Sequence, residues 1–400
     1  MLFPACPQCT SGLLRAYTEQ VLAFNLAGPD LPALKSCPEQ ENAEFISRVG
    51  RLAEKSNAEA VILIGLGRGG ITAGLQAALP DAPLLVCEPT PQRLRDARND
   101  GLFSNAAPLV LADASVRALW FLARGSMLAQ KFITCVNPEL QGPEAEQAHT
   151  LQRLLRFDPT PESPPPAGQA LCLYVIAHTD EPELNTFLAH IPEWLAEVIV
   201  VWDAPAVPNR ARALDAACTV PVRHAARPLQ NDFSAQRNYA LSLCATPWVL
   251  ALDADERLSC AAWEGLRNEI TAPQAAAYLL PRLTLYPDEQ HFRMGYGLWP
   301  DPQLRLFIRK AQLEYINPVH EILTGFTGAP ALLPHSPITH LSYVLKNRAA
   351  LAERLAVFNR AAGRDVHRLN ETFPHLPLAW HKAWQDSLRD LTRLPLLLKI

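Results

Sequence analysis

The chain has 400 residues, of which 49% are hydrophobic and 19% are charged, and its net charge is −4. This length allows two or three domains with ordinary buried cores, and the negative charge disfavours a general nucleic-acid-binding protein. The sequence has no uncharged apolar run of about 18 residues, which a membrane-spanning helix needs, and no secretion signal at its start, so we expect a cytoplasmic protein.

The first unit along the chain is a strand, a glycine turn, a helix and a second strand within residues 60–88. The turn fits the pattern G-x-G-x-x-G, and an acidic residue ends the second strand. Glycines there allow a tight turn at a helix N-terminus, and the acid can hold ribose hydroxyls, although such a turn can also simply pack a strand against a helix. We predict a Rossmann-like domain over residues 1–156. Its candidate nucleotide-binding residues are Gly65, Gly67, Gly70 and Glu88.

The stretches ILIGLGRGG and LLVCEPTPQRLRDARNDG within this unit resemble the N-terminal region of motility accessory factor-like proteins. Those are bacterial proteins linked to flagellin and surface-glycan modification. The resemblance covers about residues 55–155. It implies a setting in sugar modification and assigns no active site.

Residues 157–169 contain five prolines in thirteen positions. Proline removes a backbone donor and fixes the chain, so this stretch can form neither a helix nor a central strand. We predict a linker here, followed by a second domain over residues 170–345.

The second domain alternates strands and helices again. Apolar strands are predicted over 171–177 and 197–203 and in the stretch PWVLALDAD (247–255), with helices between them, which indicates an open α/β sheet. Such sheets bind ligands at the carboxyl ends of their strands. Asp203 and Asp253 both lie at such ends, so we expect them to converge.

Asp253 and Asp255 form an Asp-x-Asp pattern directly after a buried strand. Two carboxylates at this spacing suit a hard divalent ion that keeps open positions for phosphate oxygens. A plain acidic turn before a helix that begins at Ser259 is the alternative.

Three segments in order resemble family 2 glycosyltransferases, the inverting enzymes of the GT-A fold. They are DFSAQRNYALSLCATPWVLALDADERLS, QLRLFIRKAQLEYINPVHEIL and ITHLSY, and together they cover about residues 171–345. The likeness is to the branch that builds lipopolysaccharide cores and related surface glycans. It implies a nucleotide-diphosphate sugar as donor, a glycan, glycolipid or glycoprotein hydroxyl as acceptor, and Mn²⁺ or Mg²⁺ as cofactor.

The resemblance also implies a role for each matching side chain. Asp203, Arg237 and Asp253 would bind the nucleotide sugar. Asp255, Asp253 and His320 would hold the metal, and Glu321 with Asp255 would be catalytic. Glu321 is the candidate general base, since inverting transfer needs a group that deprotonates the acceptor hydroxyl.

Two turns depart from the family pattern. Residues 177–181 read Ala-His-Thr-Asp-Glu where Ala-Lys-Asn-Glu-Glu is usual, and residues 203–208 lack the usual serine and glycine. These changes remove small polar donors near the nucleotide. In the later strand, Arg305 and Arg309 could add positive charge for the diphosphate, but the alternation of QLRLFIRK favours a solvated face for both.

Residues 346–400 carry ten Lys or Arg and five Asp or Glu, and we predict a helical basic tail. A stripe of apolar residues runs along its last helix at spacings of three and four. This stripe could rest in a membrane interface at the inner face of the membrane, or it could pack against its own domain. Its members are Trp380, Trp384, Leu388, Leu391 and Leu394.

We therefore expect an α/β chain with a Rossmann-like N-terminal domain, a GT-A glycosyltransferase domain and a helical tail. Two alternatives stay open. One is an enzyme that uses S-adenosylmethionine or a nucleotide cofactor through the N-terminal domain. The other is a non-catalytic nucleotide-sugar-binding protein, suggested by the altered turns.

Overall fold

A computed structural model of the chain describes residues 7–24, 31–101, 108–126, 131–156, 168–362, 372–388 and 396–397. The chain divides into two units. Unit 1 contains Met1–Asp158, Gln290–Pro300 and Phe373–Arg393, and unit 2 contains Pro159–Glu289, Asp301–Thr372 and Leu394–Ile400. Each unit is thus built from three separate segments of the chain. Of the predicted linker, residues 157–167 lie outside the described residues.

Unit 1 is built on a parallel sheet of four strands in the order β3-β2-β1-β4. Its sequence alternates strands with helices, because each crossover between parallel strands needs a connection of a dozen or more residues. The elements are α1 (Pro7–Ala23), α2 (Glu39–Ser56), β1 (Ala60–Ile64), α3 (Gly70–Ala78), β2 (Leu84–Glu88), α4 (Pro91–Asn99), β3 (Leu109–Ala112), α5 (Val116–Ser126), β4 (Phe132–Val136) and α6 (Gly142–Arg156).

Unit 2 begins with the same alternation of strands and helices that the sequence predicts. Its elements up to residue 284 are β5 (Leu171–His178), α7 (Leu184–Ala189), β6 (Glu197–Asp203), α8 (Ala211–Asp215), β7 (Val222–Ala226), α9 (Phe233–Leu243), β8 (Trp248–Asp253), β9 (Glu256–Leu258), α10 (Cys260–Thr271) and β10 (Ala277–Thr284). Ser259 caps α10 by accepting the amide N–H of Ala262, as the sequence predicts.

The remaining elements are shorter and belong to both units. In chain order they are β11 (His291–Arg293), β12 (Pro302–Ile308), β13 (Glu314–Ile316), β14 (Ile322–Thr324), β15 (Ala331–Leu332), β16 (Ile338–His340), α11 (Ser342–Leu345), α12 (Arg348–Ala362), β17 (His375–Pro377), α13 (Leu378–Ser387) and β18 (Leu396–Leu397). Strands β11 and β17 pair with each other in unit 1, together with α13.

The large sheet of unit 2 has a parallel half and a mixed half. Its parallel half has the order β8-β5-β6-β7, and β12 joins β8 from the other side in the antiparallel sense. Each unit thus sets its first strand between its second and its fourth. In open α/β sheets a ligand crevice forms where the strand order reverses, which here is beside β1 and β4 in unit 1 and beside β5 and β8 in unit 2.

The tail helix α13 packs inside unit 1. Trp380 and Trp384 are fully buried and Leu388 is nearly so, and the Trp380 indole nitrogen donates to the Leu13 carbonyl at 2.9 Å. The suggestion that this stripe rests in a membrane is therefore wrong for these three residues, because their apolar surface is already covered. Leu391 and Leu394 lie outside the described residues. Across the described part of the chain, no helix is both long enough and apolar enough to span a membrane.

Candidate active site

The carboxyl ends of β6 and β8 carry the two aspartates that the sequence places there. The backbone of Asp203 ends β6, and one oxygen of its carboxylate accepts the amide N–H of Leu229 at 2.7 Å. Asp253 ends β8, the fourth strand of the parallel half, next to the crevice beside β5. Both side chains are partly exposed, so each can meet a ligand.

Arg237 joins the predicted donor site to the predicted base. Asp232 is the N-cap of helix α9, and its side chain accepts the Ala235 amide N–H. Arg237 lies one turn further along the helix. Its guanidinium donates to an Asp253 oxygen at 2.9 Å and to a Glu321 oxygen at 2.5 Å. Burial disfavours its charge, yet the two carboxylates outweigh burial and raise the pKa of Arg237 well above its usual value.

Arg305 belongs to the network around Asp253, although the sequence interpretation favoured a solvated position for it. The prediction of a solvated face is wrong for Arg305, which is 5% exposed, whereas Arg309 is exposed as predicted. Arg305 donates to Asp253 at 3.0 Å and to Glu256 at 2.7 Å. The reason is that this face of β12 carries the carboxylates of Asp253 and Glu256, which cover the guanidinium group in place of water.

Glu256 is fully buried and takes part in the same network. It accepts the backbone N–H of Asp253 at 3.1 Å, and Arg282 approaches it at 3.5 Å in addition to Arg305. Burying a carboxylate is costly unless such partners compensate its charge. Glu256 therefore fixes the end of β8 through these contacts.

Asp255 turns away from this network toward a second set of partners. Its Oδ2 accepts hydrogen bonds from the hydroxyl of Ser342 at 2.5 Å and from the ammonium group of Lys346 at 2.7 Å. His340 Nε2 lies 3.5 Å from its Oδ1. Lys346 also meets Glu181 at 2.9 Å. The side chain of Asp255 is 1% exposed, so the lysine is its main compensating charge.

The predicted metal centre does not fit these contacts. Asp253 is held by two guanidinium groups and Asp255 by an ammonium group. His320 is exposed and sits at φ 54°, between β13 and β14. Among the described residues, no group of three or more His, Cys, Asp or Glu side chains is arranged to hold a metal ion. A divalent cation would have to displace Lys346 to bind Asp255 at Oδ2, the oxygen that Lys346 contacts.

In unit 1 the glycine turn after β1 is closed by the unit's own carboxylates. The amide of Leu66 donates to Glu88 at 2.7 Å and that of Arg68 to Glu139 at 2.6 Å. A Cβ atom on Gly67 would lie 2.1 Å from Glu139, so this glycine is explained by the approach of that side chain. Two backbone amides of the turn are thus bound to carboxylates, which disfavours a phosphate at the predicted position.

Two acids at the same edge of the unit 1 sheet are buried as well. Burial raises the pKa of Glu88 and that of Asp113 to about 7 each. Glu88 accepts the amides of Leu66 and Thr90, and Asp113 accepts the hydroxyl of Tyr17 at 2.6 Å. The second oxygen of Asp113 accepts the amide N–H of Ser115. These bonds give both acids a structural role within unit 1.

Comparison with known families decides the identity of the second unit. The model for "Glycosyl transferase family 2" matches residues 172–332, which include β5 through β15. The chain contains a family 2 glycosyltransferase domain. The predicted fold class is confirmed, with a parallel sheet in unit 1, the mixed sheet of the family 2 domain in unit 2, and helices after residue 345. The resemblance of residues 55–155 to motility accessory factor-like proteins stays a prediction.

Two further comparisons give a curated relative and solved structures. A TPR repeat-containing protein of Synechococcus elongatus is 30% identical over 158 residues, which are 39% of this chain and 36% of that protein. The chain thus spans about a third of the length of this curated relative. A solved structure of S. aureus TarS has a TM-score of 0.25, at 17% identity over 29% of this chain and 36% of the TarS chain. The TarS complex with UDP has a TM-score of 0.28, at 10% identity over 55% of this chain and 70% of the TarS chain. TM-scores at this level support no argument.

Proposed function

We propose that the family 2 domain transfers a sugar, with inversion, from a nucleoside diphosphate to a hydroxyl group of a bacterial surface glycan, glycolipid or glycoprotein. The observation that carries the proposal is the pair of contacts made by Arg237. One guanidinium group holds Asp253, at the crevice beside β5, and Glu321, which is 84 residues further along the chain. Within a family 2 domain, this joins a donor-binding carboxylate to a candidate base.

Glu321 is the proposed general base. Its side chain is 16% exposed, so an acceptor hydroxyl can reach it, and its ion pair with Arg237 fixes the position of the carboxylate. The carboxylate takes the proton of the acceptor hydroxyl while that oxygen bonds to the anomeric carbon and the bond to the diphosphate oxygen breaks. Arg237 is the positioning residue that holds Glu321 in place for this step.

Asp203 and Asp253 are the proposed contacts to the nucleotide part of the donor. Asp203 is oriented by the Leu229 amide, and Asp253 by Arg237 and Arg305. Fixed carboxylates at strand ends suit the hydroxyls and ring N–H groups of a nucleoside. We assign no step to a divalent cation, because the described side chains do not fit one.

The setting of the reaction is part of the same proposal. The acceptor branch, lipopolysaccharide cores and related surface glycans, follows from the sequence resemblance, as does a cytoplasmic location facing the membrane. Burial of Trp380 and Trp384 agrees with the alternative of packing within the protein and leaves their surface unavailable for membrane contact. The closed glycine turn of unit 1 disfavours the alternative of a nucleotide-cofactor enzyme acting through that unit.

A donor screen tests the proposal. Sugar nucleotides of the UDP, GDP, CDP and dTDP series are incubated with the full chain, and release of the nucleoside diphosphate is measured by chromatography. We expect slow hydrolysis of one series and faster release when an acceptor glycan is added. Failure of all four series to bind in calorimetry and to be hydrolysed would refute glycosyl transfer.

Glu321→Gln separates catalysis from binding. We expect the transfer rate to fall by about 10²–10⁴, the usual contribution of a general base, with donor affinity unchanged within about threefold. Glu314→Gln is the matched control, since Glu314 is an exposed acid on the same hairpin of β13 and β14. A Glu321→Gln enzyme that works at the wild-type rate would exclude Glu321 as the base.

A further inference from the structure

Lys346 lies at the carboxyl ends of β5 and β8, where the strand order of the unit 2 sheet reverses. In open α/β sheets, ligands bind outside the carboxyl ends of the strands at such a switch point. Glu181 follows β5 and Asp255 follows β8, and Lys346 contacts both carboxylates, at 2.9 Å and 2.7 Å. The ammonium group therefore bridges the two sides of the crevice.

This lysine is nearly buried together with its partners. The exposed fractions of the three side chains are 11% for Lys346, 10% for Glu181 and 1% for Asp255. Ser342 adds a hydrogen bond to the oxygen of Asp255 that Lys346 contacts. A cation set among carboxylates with so little access to water is held firmly, because losing it would leave buried negative charge uncompensated.

The neighbouring aspartate is compensated in the same manner by protein groups. Asp253 is bound by Arg237 and Arg305, so each acid of the Asp-x-Asp pattern has a fixed cationic partner from the chain itself. Carboxylates paired in this way are poor ligands for a divalent ion, which must first displace the bound ammonium or guanidinium groups. The departing diphosphate still needs positive charge close to it.

We propose that Lys346 takes the place of the divalent cation at Asp255, so that the family 2 domain binds a nucleoside diphosphate and transfers the sugar without a bound metal ion. This inference rests on the proposed function. An ammonium group has three N–H donors, of which Lys346 gives one to Asp255, while its contact with Glu181 is an ion pair at 2.9 Å. A further N–H can donate to a phosphate oxygen, where lysine acts as a point charge. Its proximity to the crevice lets it take up charge as the diphosphate leaves.

Metal binding is the first test. Mn²⁺ alone is titrated into the full chain and followed by the electron paramagnetic resonance signal of the free ion. We expect no site with a Kd below about 1 mM, since such a site would need the carboxylates that Lys346 and the arginines hold. A stoichiometric Mn²⁺ site with a micromolar Kd that is lost in Asp255→Asn would overturn the inference.

Nucleotide binding is the second test. The panel of UDP, GDP, CDP and dTDP is titrated by calorimetry, once with EDTA and once with Mn²⁺. We expect the preferred nucleotide to bind with the same Kd, within about threefold, in both buffers. In EDTA, Lys346→Met should weaken binding about tenfold or more, the effect of losing a charge-assisted hydrogen bond.

Two further variants control for folding and for net charge. Lys346→Arg keeps the cation and should retain most of the affinity, which separates loss of charge from loss of structure. Lys310→Met removes another lysine of unit 2, one that contacts the neutral Thr327, and should leave binding unchanged. Binding that requires Mn²⁺ in the wild type, or that survives Lys346→Met, would overturn the inference. Absence of binding in both buffers for every nucleotide would refute the proposed function as well.

Discussion

Substitution of Arg305 by methionine tests the buried charge network around Asp253. Methionine keeps much of the aliphatic volume and removes the guanidinium group, which donates to Asp253 at 3.0 Å and to Glu256 at 2.7 Å. Breaking a buried ion pair from one side costs about 3–5 kcal/mol. Both carboxylates keep a second cation, Arg237 for Asp253 and Arg282 for Glu256, so we expect the lower end, about 3 kcal/mol.

Arg309→Met is the matched control for this substitution. Arg309 follows β12 directly, is exposed, and contacts the carbonyl oxygen of Thr246. Its loss should change the free energy of unfolding by no more than about 0.5 kcal/mol. The two units can unfold in separate steps, so urea denaturation is followed by tryptophan fluorescence and by circular dichroism, and the transition that moves is assigned to unit 2.

A second substitution separates lost packing from unpaired charge. If Arg305→Met destabilises because Glu256 is left buried with a weaker partner, then adding Glu256→Gln should restore about 1–2 kcal/mol. Equal stabilities of the Arg305→Met and Arg309→Met proteins would refute the network argument. Destabilisation that simply adds in the double variant would show that the cost comes from packing instead.

Two other predictions concern unit 1. Because burial raises the pKa of Asp113 from 3.8 to about 7, its contribution to stability is fully present below about pH 4 and is lost as the pH rises through 7. A shift of about three pKa units corresponds to about 4 kcal/mol. Asp113→Asn should remove that part of the pH dependence of the unfolding free energy, measured by denaturation at pH 4.5, 6 and 7.5. An unchanged pH profile in Asp113→Asn would contradict the buried position. Trp384→Ala should destabilise unit 1 by about 3–5 kcal/mol while Lys382→Ala leaves it stable, and sedimentation with anionic vesicles should show no loss of binding specific to the tryptophan variant.

The strands and the strand-end aspartates of unit 2 were predictable from the sequence. Buried parallel strands read as continuous apolar runs, and the runs ending at Asp203 and Asp253 are of this kind. Ser259 was recognisable as a cap because a hydroxyl residue directly precedes a helical pattern. Local sequence carries such signals, since each depends on a few neighbouring residues.

The partners of those aspartates were not predictable. Lys346 is 91 residues from Asp255, and nothing in the local pattern of either residue indicates the contact. Arg305 was misplaced because alternation along a strand cannot tell whether the second face is solvated or covered by other elements. The Gly65–Gly70 turn matches a nucleotide-binding pattern, and that pattern gives no sign that Glu139, far along the chain, lies against Gly67 and accepts the Arg68 amide.

Because unit 1 is built from segments that are far apart in the chain, it cannot complete its core until the last of them has been synthesised. Its core contains Tyr17 near the start of the chain and Trp380 near the end, with ring centroids 5.9 Å apart. A ribosome adds about 5–20 residues per second, so the first helices wait roughly 20 seconds or more for the segment that covers them. During that interval the apolar face of α1 lacks α13. Fragments cut after residue 156 would keep this exposed face permanently, so expression of unit 1 by itself requires grafting the segments 290–300 and 373–393 onto it.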